Sequence, residues 1–474
     1  MNVREPTVGP IVGYTSSREA RIWLRGMHER TQDGYRRCFG VLRWRRRGDA
    51  KFGPTSVVKL APHFDFTGVF GLLKLQADTE YEYQAGWFFA DAELESLEAV
   101  SELQWPALRP NQILPSFRTA PADASAPRSY AVGSCRYLLR LFGGTIFDDR
   151  GDKAFRSISR QIDEKGMPVH ALLMVGDQIY ADDLNVVSPD TTIDQYLDRY
   201  RVVFAQENLR RLMGRVPTYM VLDDHEIEDN WPLKADDKDW VTRYPAAIHA
   251  YQIYQASHSP LMRITKDGRL DGTPDRFWYT FEDGCCEVFV MDCRTERIWS
   301  DEPRQRRMVT QTQMKALLAW LADGSKRVKL VVTSVPFFPD LKSDSDDKWG
   351  AYPTDRAQIL DHIFTNKVRR VVFLSGDVHC SFSAELTTPA DPAFKVISVV
   401  SSSFFWPYPH MDEGDFQLKG ELTGTTQVQY RVGGASKIHS TDNFCRLDVD
   451  LTGVRVTFYE RKGDRLAPTT VRAF

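Results

Sequence analysis

The chain has 474 residues, 42% hydrophobic and 26% charged, with a formal net charge of −3. This is the composition of a globular protein too long for one ordinary core, so two domains or one enlarged α/β domain is expected. The balanced charge argues against binding nucleic acid by phosphate neutralisation, and no apolar run reaches the length of a membrane helix. The one basic knot, "RWRRRG" at 43–48, reads as a solvated strand or turn face. Seven cysteines, an odd number in a long chain, read mostly as small core residues rather than a disulfide framework. "MNVREPTVGP" is neither an apolar signal core nor a twin-arginine element, so the chain as written is expected in the cytoplasm, or as a mature form separated from its leader.

Along residues 1–119, short β-like segments such as "ARIWLRG", "SVVKLAP", "FTGVFGLLKL" and "YEYQAGWFF" are separated by Pro, Gly and Asp turn signals. They predict an all-β sandwich of immunoglobulin or fibronectin type. The Ala-, Pro- and Ser-rich "SFRTAPADASAPRS" (116–129) is the natural linker. Residues 120–474 alternate instead. "SYAVGSC" is strand-like, "DKAFRSISRQIDEKG" spaces Phe155, Ile158 and Ile162 as a helix, and "VHALLMVGD" is strand again. A long helical stretch follows in "TTIDQYLDRYRVVFAQENLRRLMG", then strand in "TYMVLDDHE" and helix in "YPAAIHAYQIYQASH". Further strands and helices alternate to "VRRVVFLSGDVH", and the C-terminal "CRLDVDLTGVRVTFYER" closes in β. The pattern predicts an α/β domain, a mixed sheet with helices on both faces.

Strands in this second region end in polar clusters: Ser134-Cys135-Arg136, Asp177 with Tyr180, Asp223-Asp224-His225, Thr333-Ser334, and Asp377 with His379. Ligands of open α/β sheets sit just outside such carboxyl ends. If these ends converge, unpaired carboxylates, a thiol, a phenol and an imidazole would share one crevice, and a multivalent cation is the simplest physical resolution. Each cluster alone has a plainer reading: "GD" as turn chemistry, Tyr180 as a core aromatic, Cys135 as a buried thiol, "DDHE" as a capping box. Asp182 and Asp183 read as loop caps, or at most extra cation ligands.

Taken in order, "GSC", "GDQIY", "DDHE" and "GDVH", preceded by "VGYTSSREARIWLRG", resemble the alkaline phosphatase D family of calcineurin-like metallophosphoesterases, from near residue 8 to about 405. "GDxxY" also resembles purple acid phosphatases, in which the Tyr makes a coloured phenolate bond to Fe3+. The resemblance implies a metallophosphoesterase-type mixed sheet flanked by helices. It implies one metal held by Cys135, Asp177, Tyr180 and His379. A second would share Asp177 and take Asp224 and Asp377, with Asn230 as an addition. Fe3+ at the first position and Ca2+ or another divalent cation such as Mn2+ at the second agree with the softer and harder donor sets. Two cations about 3.5–4 Å apart can hold a hydroxide and clamp a phosphoryl group for in-line attack.

His225 is assigned to protonating the leaving group or steadying charge in the transition state. Arg136 is expected to hold a phosphate oxygen, against a plain ion pair. Arg294, in "MDCRTER", reads as either a phosphate contact or a structural salt bridge. The expected activity is hydrolysis of small phosphomonoesters or phosphodiesters. The alternatives are a non-catalytic metal-containing binding protein, and a nuclease, which would need a basic groove. The family's best-known members close the site with a C-terminal helix, whereas this tail reads as hairpin and coil. The segment 407–443 could form the rim, with His410 and His439 as candidate substrate contacts or exposed loop residues.

Overall fold

The computed structural model describes all residues except 28–29, 32–33, 36, 92–102, 108–112, 139, 142–145, 148, 183–188, 267, 344–345 and 423–427. Asp183 therefore lies outside the described residues. No helix of the described residues is long and apolar enough to cross a membrane.

The chain forms two compact units. The first gathers Met1–Ala122, Leu197–Tyr219 and His249–Asp275. Its strands are β1 (Val8–Thr15), β2 (Glu19–Arg25), β3 (Arg37–Arg46), β4 (Ser56–Leu60), β5 (Thr67–Leu73), β6 (Glu80–Ala90) and β7 (Ser116–Arg118). They make two antiparallel sheets, β1-β2-β5 and β4-β3-β6-β7. Ile22, Leu24 and Phe70 of the first sheet pack with Leu42, Tyr83 and Trp87 of the second in one buried cluster. This is the packing of a β-sandwich. The basic knot lies along β3 with its charges partnered: Arg45 pairs with Glu82 at 2.9 Å, and Arg43 and Arg45 both cover the Phe52 ring.

Sequence patterning places a contiguous boundary near 119; this unit also recruits later segments. Trp23 Nε1 donates to Ile253 O (2.9 Å), and Arg210 donates to Pro6 O (2.8 Å). Asp65 accepts from Arg25, Arg201 and Tyr254, residues from three separate stretches of chain. The stretch at 193–213, which reads as one helix, is two, Ile193–Phe204 and Glu207–Met213. Gln206 (φ −57°, ψ 133°) leaves helical geometry and enters the second helix as its N-cap.

His258 is buried against Gly13, where a Cβ would collide with His258 O. Burial pushes its imidazole down to about 4, and Nε2 faces Tyr254 O at 3.1 Å. The unfolded chain binds a proton near pH 6.5 that the folded one refuses. Stability is therefore fully present above pH 6.5 and declines as pH falls toward 4, by about 3 kcal/mol. Urea titrations between pH 7 and 4 should show that decline, and a folded His258→Gln variant should show a shallower one.

The second unit comprises Asp123–Tyr196, Met220–Ile248 and Arg276–Phe474. Its elements include β8 (Arg128–Gly133), α1 (Asp152–Asp163), β9 (Ala171–Met174), β10 (Tyr279–Asp283), β11 (Cys286–Val290), α2 (Gln311–Leu321), β12 (Val328–Val332), α3 (Pro353–Thr365), β13 (Val371–Ser375), β14 (Phe382–Thr388), β15 (Asp391–Val400), β16 (Gly420–Glu421), β17 (Arg431–Gly433), β18 (Asn443–Asp450), β19 (Gly453–Glu460) and β20 (Thr470–Ala473). One sheet contains the order β9-β8-β18-β19-β20, and the other runs β10-β11-β12-β13-β15-β14-β17-β16. β8 and β9 are parallel, as are β11, β12, β13 and β15. Val328–Val332 and Val371–Ser375 are buried at every position, as parallel strands covered on both faces require.

α1 buries Ala154, Phe155 and Ile158 at helical spacing. α2 starts at Thr310, whose side chain accepts from Gln313 N–H, and α3 starts on Pro353, where a missing N–H costs nothing. All seven cysteines are buried and free. The tail folds back as β19 and β20, an antiparallel pair.

Candidate metal centre

Parallel pairing sets the site. Gly133 of β8 stands beside Met174 of β9, so the residues that follow leave the sheet together. Cys135 N–H donates to Gly176 O (3.2 Å), and Arg136 N–H to Asp177 O (3.0 Å). Val221 N–H reaches Met174 O (3.1 Å), which brings the Asp223–His225 segment alongside. After β13, Asp377 N–H faces Ser134 Oγ (3.3 Å) and His379 N–H donates to Ser402 Oγ (2.9 Å). Gly376 is needed here because a Cβ would collide with Ser134 Oγ. At Gly176 (φ +114°) a Cβ would sit 2.8 Å from that of Asp223.

Cys135, Asp177, Asn230, Asp377 and His379 all hold positive φ, at 53°, 54°, 58°, 72° and 50°. For non-glycine residues this left-handed conformation costs of order 1 kcal/mol each, and such strain collects at functional sites.

Three overlapping groups of donor atoms lie within 4.8 Å of one another: Cys135, Asp177 and His379; Asp177, Asp224 and His225; Asp223, Asp224 and Asp377. Asp177 and Asp224 each belong to two of them. Among the described residues, the buried oxygens Asp177 Oδ1 and Asp223 Oδ2 accept no hydrogen bond. Burial, with Asp223 and Asp224 beside it, pushes Asp177 well above the usual carboxylate range. Burial likewise lifts Asp223 to about 7 and Asp377 to about 6. Burial would also raise Asp224, but Arg294 and His225 hold it below the usual value. Crowded acids with orphaned oxygens are expensive to bury, and cations fit the donor set present.

Other side chains steady these donors. Ser134 Oγ and Ser402 Oγ lie 3.1 and 3.0 Å from Cys135 Sγ, which itself is 3.2 Å from Asp177 Oδ2. Tyr180 OH is 3.4 Å from both Asp177 Oδ2 and His379 Nε2. The His379 ring stacks on Trp406 with centroids 3.7 Å apart. Glu226 accepts from the backbone N–H groups of Asp177, Gln178 and Asp223, and it closes a capping box with Asp223. The plainer reading of "DDHE" as a cap and its reading as a ligand segment thus coexist.

His225 Nδ1 pairs with Asp182 Oδ1 at 2.8 Å. Burial would lower the imidazole pKa, but Asp182, Asp224 and Asp177 raise it well above its ordinary value. Asp182, read from sequence as a loop cap or calcium ligand, is therefore the partner of His225. It also accepts from Asp229 N–H. Asn230 contributes its backbone N–H to Asp224 Oδ2 (2.7 Å).

The two arginines expected to contact phosphate are both buried beside carboxylates. Arg294 is completely buried, and its guanidinium is spent on Asp223 (2.5 Å), Asp347 (2.5 Å) and Trp231 O (3.2 Å), with Asp224 at 3.3 Å. It is a structural counter-ion beneath the acids rather than a substrate contact. Arg136, 2% exposed, lies over the Phe155 ring of α1 and 3.7 Å from Asp152. Both groups belong to α1, and a buried guanidinium gains from an enclosing ring and carboxylate. His439 is buried beside Phe458, and His410 Nδ1 pairs with His379 O (2.6 Å), so neither is an exposed loop residue.

Sequence reasoning passed over Asp347, Lys348, Ser402 and Trp406 as site residues. None lies in a short motif with the ligands, and only the "SSSFFW" run beyond β15 hinted at an unusual strand exit.

Residues 140–452 match the sequence profile of the PhoD-like phosphatases. Alkaline phosphatase D of Bacillus subtilis (strain 168) is 29% identical over 220 residues, which cover 41% of this chain and 36% of that protein. The match thus spans about a third of the relative's length. A solved structure of PhoD superposes with a TM-score of 0.70 at 16% identity, covering 98% of this chain and 93% of the other. Purple acid phosphatase PPD1 from yellow lupin seeds gives 0.58 at 11% identity, covering 98% and 74%. At these identities the structural likeness shows a shared fold.

Proposed function

Because the chain belongs to the PhoD-like phosphatase family, we propose that it is a metal-dependent phosphoesterase acting on small phosphate mono- or diesters at a two-cation centre. The observation that carries this reading is the set of three donor groups joined through Asp177 and Asp224 at the ends of parallel strands. Cys135, Tyr180 and His379 with Asp177 are the softer set and suit Fe3+, while Asp177, Asp224 and Asp377 suit Ca2+ or Mn2+. Asp223, whose free oxygen faces no donor, joins the second set. When bound, such cations activate water and stabilise charge developing on the phosphoryl group.

The chain's own groups do the rest. Ser134 and Ser402 fix the Cys135 thiol, Trp406 fixes the plane of His379, and Glu226 holds the backbone on which Asp177 and Asp223 are mounted. Asp182 engages Nδ1–H of His225 and favours its imidazolium form, which leaves Nε2–H as the group that gives a proton to a departing alcohol.

Hydrolysis of a panel of aryl phosphate mono- and diesters under Fe, Ca, Mn and Zn supplementation tests the reading. No turnover with any metal would overturn it. If iron fills the first position, the purified protein carries a visible charge-transfer band. Tyr180→Phe should remove the phenolate part of that band, shifting it to what the Cys135 thiolate alone supplies, while iron content, read by elemental analysis, is largely retained through Cys135, Asp177 and His379. An unchanged band would remove Tyr180 from the ligand set.

A further inference from the structure

Lys348 stands out among the cations around the acid cluster. Its ammonium is buried, 2.6 Å from Asp377 Oδ2 and 2.9 Å from Asp347 Oδ2. Asp347 has no need of it, since the same carboxylate already receives Arg294 and Arg297. Asp377 does, because its other cationic neighbour, Arg294, stays 3.7 Å away. The lysine is held there by its neighbour in sequence. Trp349 is fully buried, donates from Nε1 to Thr333 Oγ1 (2.9 Å) and packs edge-on against Phe337. Anchored this way, a buried ammonium retains few alternative positions.

We propose that Lys348 is a built-in counter-ion that competes with the second cation for Asp377. The proposal rests on the two-cation reading above. Asp223, Asp224 and Asp377 bring their oxygens within 4.8 Å of one another, so a divalent ion among them lies close to the Lys348 ammonium. Two like charges at that range in a buried site repel strongly, and they share one carboxylate. Without the ion, Lys348 and Arg294 balance the acids and keep the strand ends assembled. With it, Lys348 must release Asp377. The second cation, which shares Asp377 with Lys348, is accordingly the weaker-held and exchangeable one.

Calorimetric titration of Ca2+ and Mn2+ into the full chain, with the first-position metal in place, tests this without reference to turnover. Lys348→Met should bind the second cation about tenfold more tightly or better, as removal of one adjacent positive charge requires. Lys348→Arg, which keeps the charge, should not gain. The gain should vanish in the Lys348→Met, Asp377→Asn double variant. If Lys348→Met does not fold, Lys348→Gln, a polar residue that can still reach Asp377, carries the same expectation. Equal or weaker binding in a folded charge-removing variant overturns the competition alone. Absence of second-cation binding in every protein, wild type included, overturns the two-cation reading and this proposal with it.

Discussion

Asp177→Asn should remove nearly all hydrolysis of an aryl phosphate ester and strip metal from the protein. Among the described residues, Asp177 is the one carboxylate that belongs both to the group with Cys135 and His379 and to the group with Asp224 and His225. An amide supplies one neutral oxygen where the site calls for a shared anion. Loss of groups that merely orient ligands costs about 10–100-fold in metal affinity or activity. Loss of a shared ligand should therefore exceed roughly 100-fold in both. Elemental analysis beside kcat/KM checks the expectation. Asp177 is buried with an unpartnered Oδ1, so removing its charge also relieves repulsion from Asp223 and Asp224. The variant should accordingly be no less stable than wild type when both are metal-free, which separates loss of the site from loss of the fold. Full activity in a folded Asp177→Asn protein would take the residue out of the centre.

His225→Ala should lower kcat by about 10²–10⁴, the usual worth of a positioned acid–base group, while metal content stays near that of wild type. The argument is geometric. Nδ1 is occupied by Asp182 at 2.8 Å, and the ring packs on Tyr180, tilted by 34° at a centroid distance of 4.3 Å. The imidazole also lies close enough to Asp177 and Asp224 to serve as a ligand. The paired readout decides between the roles. A fall in kcat with metals retained marks an acid, and a matching loss of one metal marks a ligand. Asp182→Asn should give a smaller loss with a shifted pH profile, since it disturbs the histidine without removing it. The leaving group adds a second check: esters of more acidic alcohols need less protonation and should be less sensitive to His225→Ala.

Much of this centre was legible as strand ends. Continuous apolar runs that stop in "GSC", "GDQIY", "DDHE" and "GDVH" announced where buried strands deliver polar groups, and the alternation of elements placed them at one end of α/β strands. Those inferences rest on local periodicity and on the chemistry of adjacent residues, both written along the chain. In the folded chain Cys135, Asp177 and His379 come together, as do Asp224 and Asp377. Burial and partner choice are different quantities. Nothing near Arg294 in sequence distinguishes a phosphate contact from a counter-ion. Only the arrival of Asp223 and Asp347 from 71 and 53 residues away decides it. Arg136 likewise sits beside Cys135 in sequence, yet its buried side chain lies against Asp152 and Phe155 of α1.

The sequence by itself determined the element types, the sandwich preceding an α/β region, and the donor atoms available at each strand end. These follow from side-chain period, turn chemistry and residue type. The tertiary structure alone decided that Asp182 serves His225, that Lys348 and Arg294 neutralise the acids, and that Trp406 backs His379. Such pairings depend on which loops meet across the sheets, and a charge selects its partner by distance and burial, quantities that exist only once the chain is folded.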